Sequence, residues 1–167
     1  MATGVDELSA HAKVAKMSLY AHFGSKDNLA TEYVVDAERG FEAWFDHQLA
    51  QGPSEPKARL LHAFDVLGAW VDRAEFRGCR FINAALQLNA PSHPAFLAAV
   101  AQKTAMRARL EELAHAAGLR KPKVVARELA LLMDGALVAA AMERSPAPAV
   151  AARSAALKLV EASSGPQ

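Results

Sequence analysis

The segment KMSLYAHF, residues 16–23, combines cationic, hydrogen-bonding and apolar side chains at helical spacing. Leu19 and Phe23 lie four positions apart, so a short helix formed here rests on an apolar base. Such a helix fits the major groove of double-stranded DNA, where its side chains meet the base edges. The residues expected to face the bases are Lys16, Met17, Ser18 and Ala21.

Three neighbouring side chains, Tyr20, His22 and Lys26, are suited to phosphate contacts. Tyrosine and histidine donate hydrogen bonds to phosphate oxygens, and a lysine at the start of a helix adds charge to backbone amides that already attract anions. Such contacts set the register of a protein on DNA rather than its sequence preference. Each residue alone is more typical of an ordinary amphipathic core turn with polar tips, but the joint pattern over about 30 residues favours DNA binding.

Glycine and proline divide the chain into intervals of helical periodicity, which predict seven or eight helices. Gly24 ends the second helix and Ser25 caps a long third one. Abundant alanine and few β-branched residues favour helices over sheets, so the predicted fold class is all-α. The predicted helices cover residues 5–12, 16–23, 26–51, 55–75, 79–88, the stretch from the 89–94 loop to 117, 122–144, and a last segment that Pro146 and Pro148 open.

The chain has 167 residues, of which 52% are hydrophobic and 22% charged, and its formal net charge is +1. One compact domain of this size, with or without a small appendage, completes a core without a metal or disulfide. Cys79 is the single cysteine, which excludes an internal disulfide, and no signal segment or membrane-spanning stretch is recognisable. We therefore expect a soluble, cytoplasmic protein with no membrane partner.

The stretch from Val5 to Val34 resembles the DNA-binding domain of the TetR family of bacterial transcriptional regulators. In that family a turn reading Ala-Gly-Val-Ser precedes a recognition helix with Leu-Tyr-x-His-Phe, and Ser-Lys-Glu-x-Leu follows it. The matching segments here are residues 12–15, 16–23 and 25–29. The helical remainder, including Arg77-Gly78-Cys79 before a short helix, is similar to the regulatory domain of many members.

This resemblance implies a helix-turn-helix DNA-binding domain at residues 1–30, an effector-binding and dimerisation domain at 31–162, and a polar tail at 163–167. It implies a homodimeric, ligand-responsive repressor that leaves a palindromic operator when a small effector binds. The implied partners are double-stranded DNA, a small molecule and a second copy of the chain. No cofactor and no metal are implied.

Three departures from the family pattern weaken the expected DNA-binding domain. Met1 falls where the loop between the family's first two helices lies, so the first helix is expected to be missing and an apolar face exposed. Lys13 replaces the turn glycine, which costs about 1 kcal/mol if that position requires a positive φ, and Ala15 replaces the capping serine at a typical cost of about 1 kcal/mol. The charges within residues 1–30 sum to zero. We favour a missing upstream segment over a domain that binds DNA poorly.

Apolar side chains of the central helices supply candidate lining for an effector cavity. Helical spacing alone produces such stripes, so most of these side chains are expected to pack in the core. The apolar bias favours a hydrophobic or aromatic effector. The ligand-binding candidates are Trp44, Phe64, Leu67, Trp70, Phe81, Asn83, Gln87, Met106 and Met133, and a wider set adds Phe41, Phe45, His62, Leu86, Phe96 and Asp134.

The segment LALLMDGALVAAAM, residues 129–142, is apolar nearly all round, whereas a domain of this size offers a helix one core face. A second buried face is implied, and small residues let another helix approach closely. We expect a homodimer through a four-helix seam; the alternative is that this helix is central in the single chain. The predicted interface residues are Leu132, Gly135, Ala136, Ala139, Ala140, Ala152, Ala155 and Leu159.

No enzyme motif accompanies these features, and the six histidines lack metal-ligand spacing, so catalysis is not expected. Cys79 beside Arg77 and Arg80 would sense oxidants if it were exposed, but a buried, inert thiol is expected. Two other hypotheses stay open. One is a helical small-molecule-binding dimer with a vestigial or truncated DNA-binding head, and the other is a small α-helical enzyme.

Overall fold

The computed structural model describes residues 4–165, which form eight α-helices and confirm the all-α prediction. None of these helices is long and apolar enough to cross a membrane. Residues 1–3 of the predicted DNA-binding domain and 166–167 of the predicted tail lie outside the described range. The helices are α1 Val5–Ala12, α2 Lys16–Phe23, α3 Lys26–Ala50, α4 Pro56–Val71, α5 Arg80–Leu88, α6 Pro94–Ala116, α7 Pro122–Glu143 and α8 Ala147–Ser163.

Helices α3 to α8 pack into a bundle with an apolar core. Helix α7 lies against α6 and α8, α4 lies against α8 and α6, and both α3 and α5 pack on α6. Alanine recurs at these contacts, for example at Ala114 and Ala156, so the helices approach closely. Each fully buried leucine or phenylalanine, such as Leu60 or Phe64, contributes about 1.5–3 kcal/mol to stability.

Helix α4 ends at Val71 rather than at Glu75, where the periodicity placed its end. The Arg73 guanidinium folds back over the rings of Trp44 and Trp70, at 4.7 and 4.8 Å from their centroids. The Phe76 N–H then donates to the Arg73 carbonyl oxygen at 2.9 Å, closing a turn that packs Phe76 against the core. The cation–π contacts and the packing of Phe76 therefore override the helical pattern.

Gly52 allows the loop between α3 and α4 to lie against His62. A Cβ at Gly52 would meet the His62 ring at 2.1 Å. The ring Nε2 lies 3.3 Å from the Gln48 carbonyl oxygen, and Nδ1 lies 3.6 Å from the Asp65 carboxylate. His62, a member of the wider ligand-binding set, instead joins α4 to the end of α3.

Helix α7 has two apolar faces, one buried in the bundle and one exposed. Leu129 and Met133 are buried, whereas Leu131 and Met142 are 65% and 80% exposed. Within residues 4–165 this excludes the alternative that α7 is enclosed by the chain's own helices. We call the exposed residues of α7 and α8 the apolar strip: Val124, Leu131, Val138, Met142, Val150 and Leu157.

The predicted dimer-interface residues divide between this surface and the core. Ala136, Ala140 and Ala152 are buried by the chain's own helices, so they are not free to meet a second copy. Gly135 is exposed between Leu131 and Val138. The others are partly buried: Leu132, Ala139, Ala155 and Leu159. The small residues correctly predicted close contacts between helices. The buried ones make these contacts within a single chain rather than between two copies.

Candidate functional site

The first three helices form a helix-turn-helix whose geometry is fixed by local hydrogen bonds. Ser25 caps α3, its side chain accepting from the Asn28 N–H at 3.0 Å. The Asn28 side chain donates to the Phe23 carbonyl oxygen at 2.9 Å, which ties the end of α2 to the start of α3. Gly24 between them has φ +74°, a conformation that glycine adopts without strain. The orientation of α2 on α3 is thus set by residues 23–28.

The predicted DNA-contacting side chains lie on the exposed surface of this motif. At 100° per residue, Lys16, Met17, Tyr20 and Ala21 share one arc of α2. Met17 is 83% and Tyr20 45% exposed, and the partly buried Leu19 and Phe23 adjoin this arc next to Lys16. All the remaining candidates are exposed as well: Lys16, Ser18, Ala21, His22 and Lys26. The helix therefore presents Lys16, Met17, Tyr20 and Ala21 together, whereas the exposed Ser18 and His22 project from the far side of α2.

The helix-turn-helix has little core of its own within the described residues. No residue of α1 or α2 is buried, and the apolar Val14 is 42% exposed. Helix α1 packs against α2, and α2 packs against α3. The motif therefore depends largely on its few local hydrogen bonds, and the missing first helix stays a prediction.

Lys16, at the start of α2, forms an ion pair with Asp6 of α1. The Lys16 Nζ lies 2.7 Å from the Asp6 carboxylate, and both side chains are well exposed. The hydrogen bond and charge of Asp6 raise the pKa of Lys16 above its usual value. The lysine best placed to meet a base edge is thus held by a carboxylate in the free protein.

Asp6→Asn is expected to raise the affinity for DNA by about fivefold, because it frees Lys16 for the base edges and removes a charge that repels phosphates. Fluorescence anisotropy of labelled DNA at two salt concentrations would measure this. Glu143→Gln, at the far end of α7, is the control that changes the same net charge. Equal affinities for Asp6→Asn and the wild type would show that this ion pair does not limit DNA binding.

The turn between α1 and α2 contains the two unfavourable residues that the sequence indicated. Lys13 has φ +55° and ψ +36°, the left-handed conformation in which glycine is preferred. Its N–H donates to the Ala10 carbonyl oxygen at 3.3 Å. Ala15 occupies the N-cap of α2 and offers no side-chain hydrogen bond to the free amides. A substitution at either position can therefore stabilise the helix-turn-helix.

Lys13→Gly and Ala15→Ser are each expected to stabilise the helix-turn-helix by about 1 kcal/mol, the first by relieving backbone strain and the second by capping α2. Hydrogen exchange of the amides in residues 5–23 reports this directly. Lys121→Gly, at another residue with positive φ, is the matched control and should leave these amides unchanged. Unaltered protection in both turn variants would refute the strain and capping argument.

A histidine of the bundle contacts the helix-turn-helix. His93 caps α6, with its Nδ1 accepting from the Ala95 N–H at 3.1 Å, so Nε2 carries the proton of the neutral ring. That Nε2 lies 3.7 Å from the Asp27 carboxylate, in the first turn of α3. No hydrogen-bond partner of Nε2 occurs in residues 4–165. The start of α6 therefore touches the segment that orients α2.

A cavity of about 140 Å³ lies between α3, α4, α5, α6 and α7. Of the ligand-binding candidates, Leu67, Trp70, Phe81, Met106 and Met133 line it, and Phe41, Phe45 and Asp134 of the wider set line it too. The others do not: Trp44, Phe64, Asn83, Gln87, His62, Leu86 and Phe96. Phe64 is 1% exposed and is a core residue. The expected buried thiol of Cys79 forms part of the wall.

Asn83 and Gln87 instead line a second, more open cleft of about 780 Å³. This cleft runs between the first turns of α3 and helix α5, with Lys26 and Tyr33 on one side. Trp70 lines both spaces. Asn83 and Gln87, two of the predicted polar contacts of an effector, therefore line a different space from Asp134, which lines the enclosed cavity.

The polar groups of the enclosed cavity were missed by the sequence analysis, apart from Asp134. Gln102 is 2% exposed, and its Oε1 has no partner within residues 4–165. Lys103 and Asp134, which both line the cavity, form an ion pair with each other. The arginines of the lining are Arg80, Arg107 and Arg127. The sequence feature that could have indicated these polar groups is the spacing of Gln102 and Lys103 with Met106 on one turn of α6.

Only the N-terminal part of the sequence was matched to a known protein family. Residues 1–33 match the family model of the bacterial regulatory proteins of the tetR family. This segment contains α1, α2 and the first turns of α3. The sequence matches no curated protein significantly.

The fold as a whole is similar to that of solved TetR-type regulators. A TetR-family transcriptional regulator from Streptomyces coelicolor has a TM-score of 0.89 and 26% identity, over 97% of this chain and 80% of that one. The regulatory protein TetR from Rhodobacter sphaeroides has a TM-score of 0.80 and 23% identity, over 95% and 87%. The reduced form of NemR from E. coli has a TM-score of 0.78 and 21% identity, over 93% and 85%.

Proposed function

Because this chain has the N-terminal motif and the fold of TetR-family transcriptional regulators, we propose that it is a dimeric, effector-responsive DNA-binding repressor. The observation that carries the proposal is the exposed arc of α2, which brings Lys16, Met17 and Tyr20 to one surface. Base-facing side chains in one arc, with Lys26 at the next helix start, suit a major groove and its phosphates. The proposed domains are 1–30 and 31–162, followed by the tail 163–167, and the proposed location is the cytoplasm of a bacterium.

The effector site of this proposal is the enclosed cavity, and α3 supplies the connection to the DNA. Phe41 and Phe45 of α3 line the cavity, while Lys26 and Asp27 of the same helix adjoin α2. Phe41 lies about 22 Å along the helix from Lys26, so a tilt of about 10° at the cavity moves the DNA-reading helix by about 4 Å. The contact between His93 and Asp27 adds a second connection, through α6.

The apolar strip supports the dimer. Val124, Leu131, Val138 and Met142 recur at intervals of seven and four on α7, and α8 adds Val150 and Leu157. An exposed apolar surface rarely remains open on a soluble monomer, and a two-fold pairing of α7 and α8 would cover it as a four-helix seam. Two recognition helices joined in this way suit two half-sites of a palindrome.

A footprinting experiment tests the proposal. The full chain is incubated with DNA from upstream of its own gene, and DNase I protection is read along both strands. We expect protection of a palindrome whose half-sites lie about one helical turn apart. No protected region at any protein concentration would refute the DNA-binding function.

The exposed side chains of α1 and α2 favour a second candidate, a small-molecule-binding dimer whose helix-turn-helix does not bind DNA. Residues 5–23 contain no buried side chain, so this motif is weakly packed. The two candidates share the dimer and the cavity, and the footprint separates them. The similar proteins of known structure are named as regulators, and we propose that this chain is likewise a regulator and not an enzyme.

A further inference from the structure

The enclosed cavity combines an apolar wall with an excess of positive charge. Arg80, Lys103, Arg107 and Arg127 line it, against the single acid Asp134, which gives the lining a net charge of +3 in a chain of net charge +1. Lys103 is paired with Asp134. No ion pair of the three arginines occurs within residues 4–165, and all three are exposed. None of the three guanidinium groups therefore has an acidic partner in the described residues, although Arg107 donates to the Thr104 hydroxyl at 3.0 Å and Arg80 lies 5.9 Å from the centroid of the Tyr33 ring.

The remainder of the cavity wall is mostly aromatic and apolar. Phe41 lies edge-on to the rings of Trp70 and Phe81, with centroids 5.3 and 6.3 Å away. The volume of about 140 Å³ is close to that of an engineered apolar protein cavity, about 150 Å³, that admits benzene. The enclosed part thus has room for one aromatic ring.

The buried carboxamide of Gln102 is the remaining polar feature. Gln102 lines the cavity and is 2% exposed, and its buried Oε1 has no hydrogen-bond partner in the described residues. Buried acceptors are nearly always paired, so this one is suited to a donor carried by a ligand.

Resting on the proposed function, we infer that the effector is a single-ring aromatic carboxylate with a hydroxyl or amino donor on the ring. The ring fills the space between Phe41 and Met133, and the carboxylate points to the guanidinium groups of Arg107 and Arg127. The ring donor bonds to Gln102. Arginine binds carboxylates through paired, charge-assisted hydrogen bonds, which makes this class preferred over neutral rings of equal size.

Isothermal titration calorimetry of the full chain tests the carboxylate. The ligands are benzoate and 4-hydroxybenzoate, with benzamide and 4-hydroxybenzamide as neutral counterparts and benzylamine as a cation. We expect each carboxylate to bind at least about tenfold more tightly than its amide. The double variant Arg107→Gln/Arg127→Gln should lose this preference, whereas the control Arg39→Gln, an exposed arginine of α3, should keep it.

A second variant tests the donor. Gln102→Leu should bind benzoate as the wild type does but lose its preference for 4-hydroxybenzoate over benzoate. Three results would overturn the inference. They are amides that bind as tightly as the acids, a preference for the acids that survives the double variant, and no binding of either acid at millimolar concentration. None of these calorimetric outcomes alters the DNase I footprint of the ligand-free protein. A wrong effector class can therefore be distinguished from a wrong assignment of DNA binding.

Discussion

Val138→Lys is expected to convert the dimer to monomers and to weaken operator binding by about a hundredfold or more. Val138 lies at the centre of the apolar strip and is 43% exposed in the single chain, so lysine is tolerated there in a monomer. In a two-fold seam the same position meets its own copy, and two ammonium groups would be desolvated side by side. Loss of the second half-site contact removes the gain from bivalent binding.

Sedimentation velocity measures the oligomeric state, and anisotropy measures operator binding on the same samples. Leu97→Lys is the matched control, because Leu97 is 55% exposed on α6 and lies outside the strip. It should remain dimeric and bind DNA normally. A Val138→Lys protein that stays dimeric would place the interface elsewhere and contradict the role of the apolar strip.

Lys26→Gln should lower the affinity for every DNA sequence by about tenfold and make it less sensitive to salt. Lys26 is exposed in the first turn of α3, where its charge and the free backbone amides act together on a phosphate. Losing one phosphate contact in each of two heads should reduce the slope of log affinity against log salt by about 1.8. Tyr20→Phe should weaken binding in the same uniform way, by a smaller factor.

The contrast with Lys16 separates phosphate contacts from base contacts. Lys16→Ala should change which bases are preferred within a half-site, because base-edge contacts carry the sequence information. Lys57→Gln, in the first turn of α4, is the control for Lys26 and should leave both affinity and slope unaltered. An unchanged salt slope in Lys26→Gln would contradict the proposed orientation of the helix-turn-helix on DNA.

The helix-turn-helix was predictable because its determinants are local. Gly24 and Ser25 specify the end of α2 and the cap of α3 through bonds within a few residues, and the structure shows both. The strain at Lys13 and the empty cap at Ala15 were likewise readable from the residue types that those positions prefer.

The cavity and the proposed dimer surface depend on contacts distant in sequence, so the sequence described them incompletely. Gln102 reads as an exposed polar residue of α6, and only the packing of α3 and α7 around it shows that it is buried. Asn83 and Gln87 were predicted as ligand contacts, but the rotation of α5 turns them toward the other cleft. The periodicity of α7 showed two apolar faces without showing which one the chain itself covers.

The most direct test of the central claim is the affinity of the full chain for an intact palindrome compared with the same DNA carrying one scrambled half-site. Fluorescence anisotropy at two salt concentrations gives both affinities. A dimeric regulator should bind the intact palindrome at least about a hundredfold more tightly, with a steeper salt dependence. Equal affinities, or no binding to either DNA, would contradict a regulator that reads two half-sites with two copies of α2.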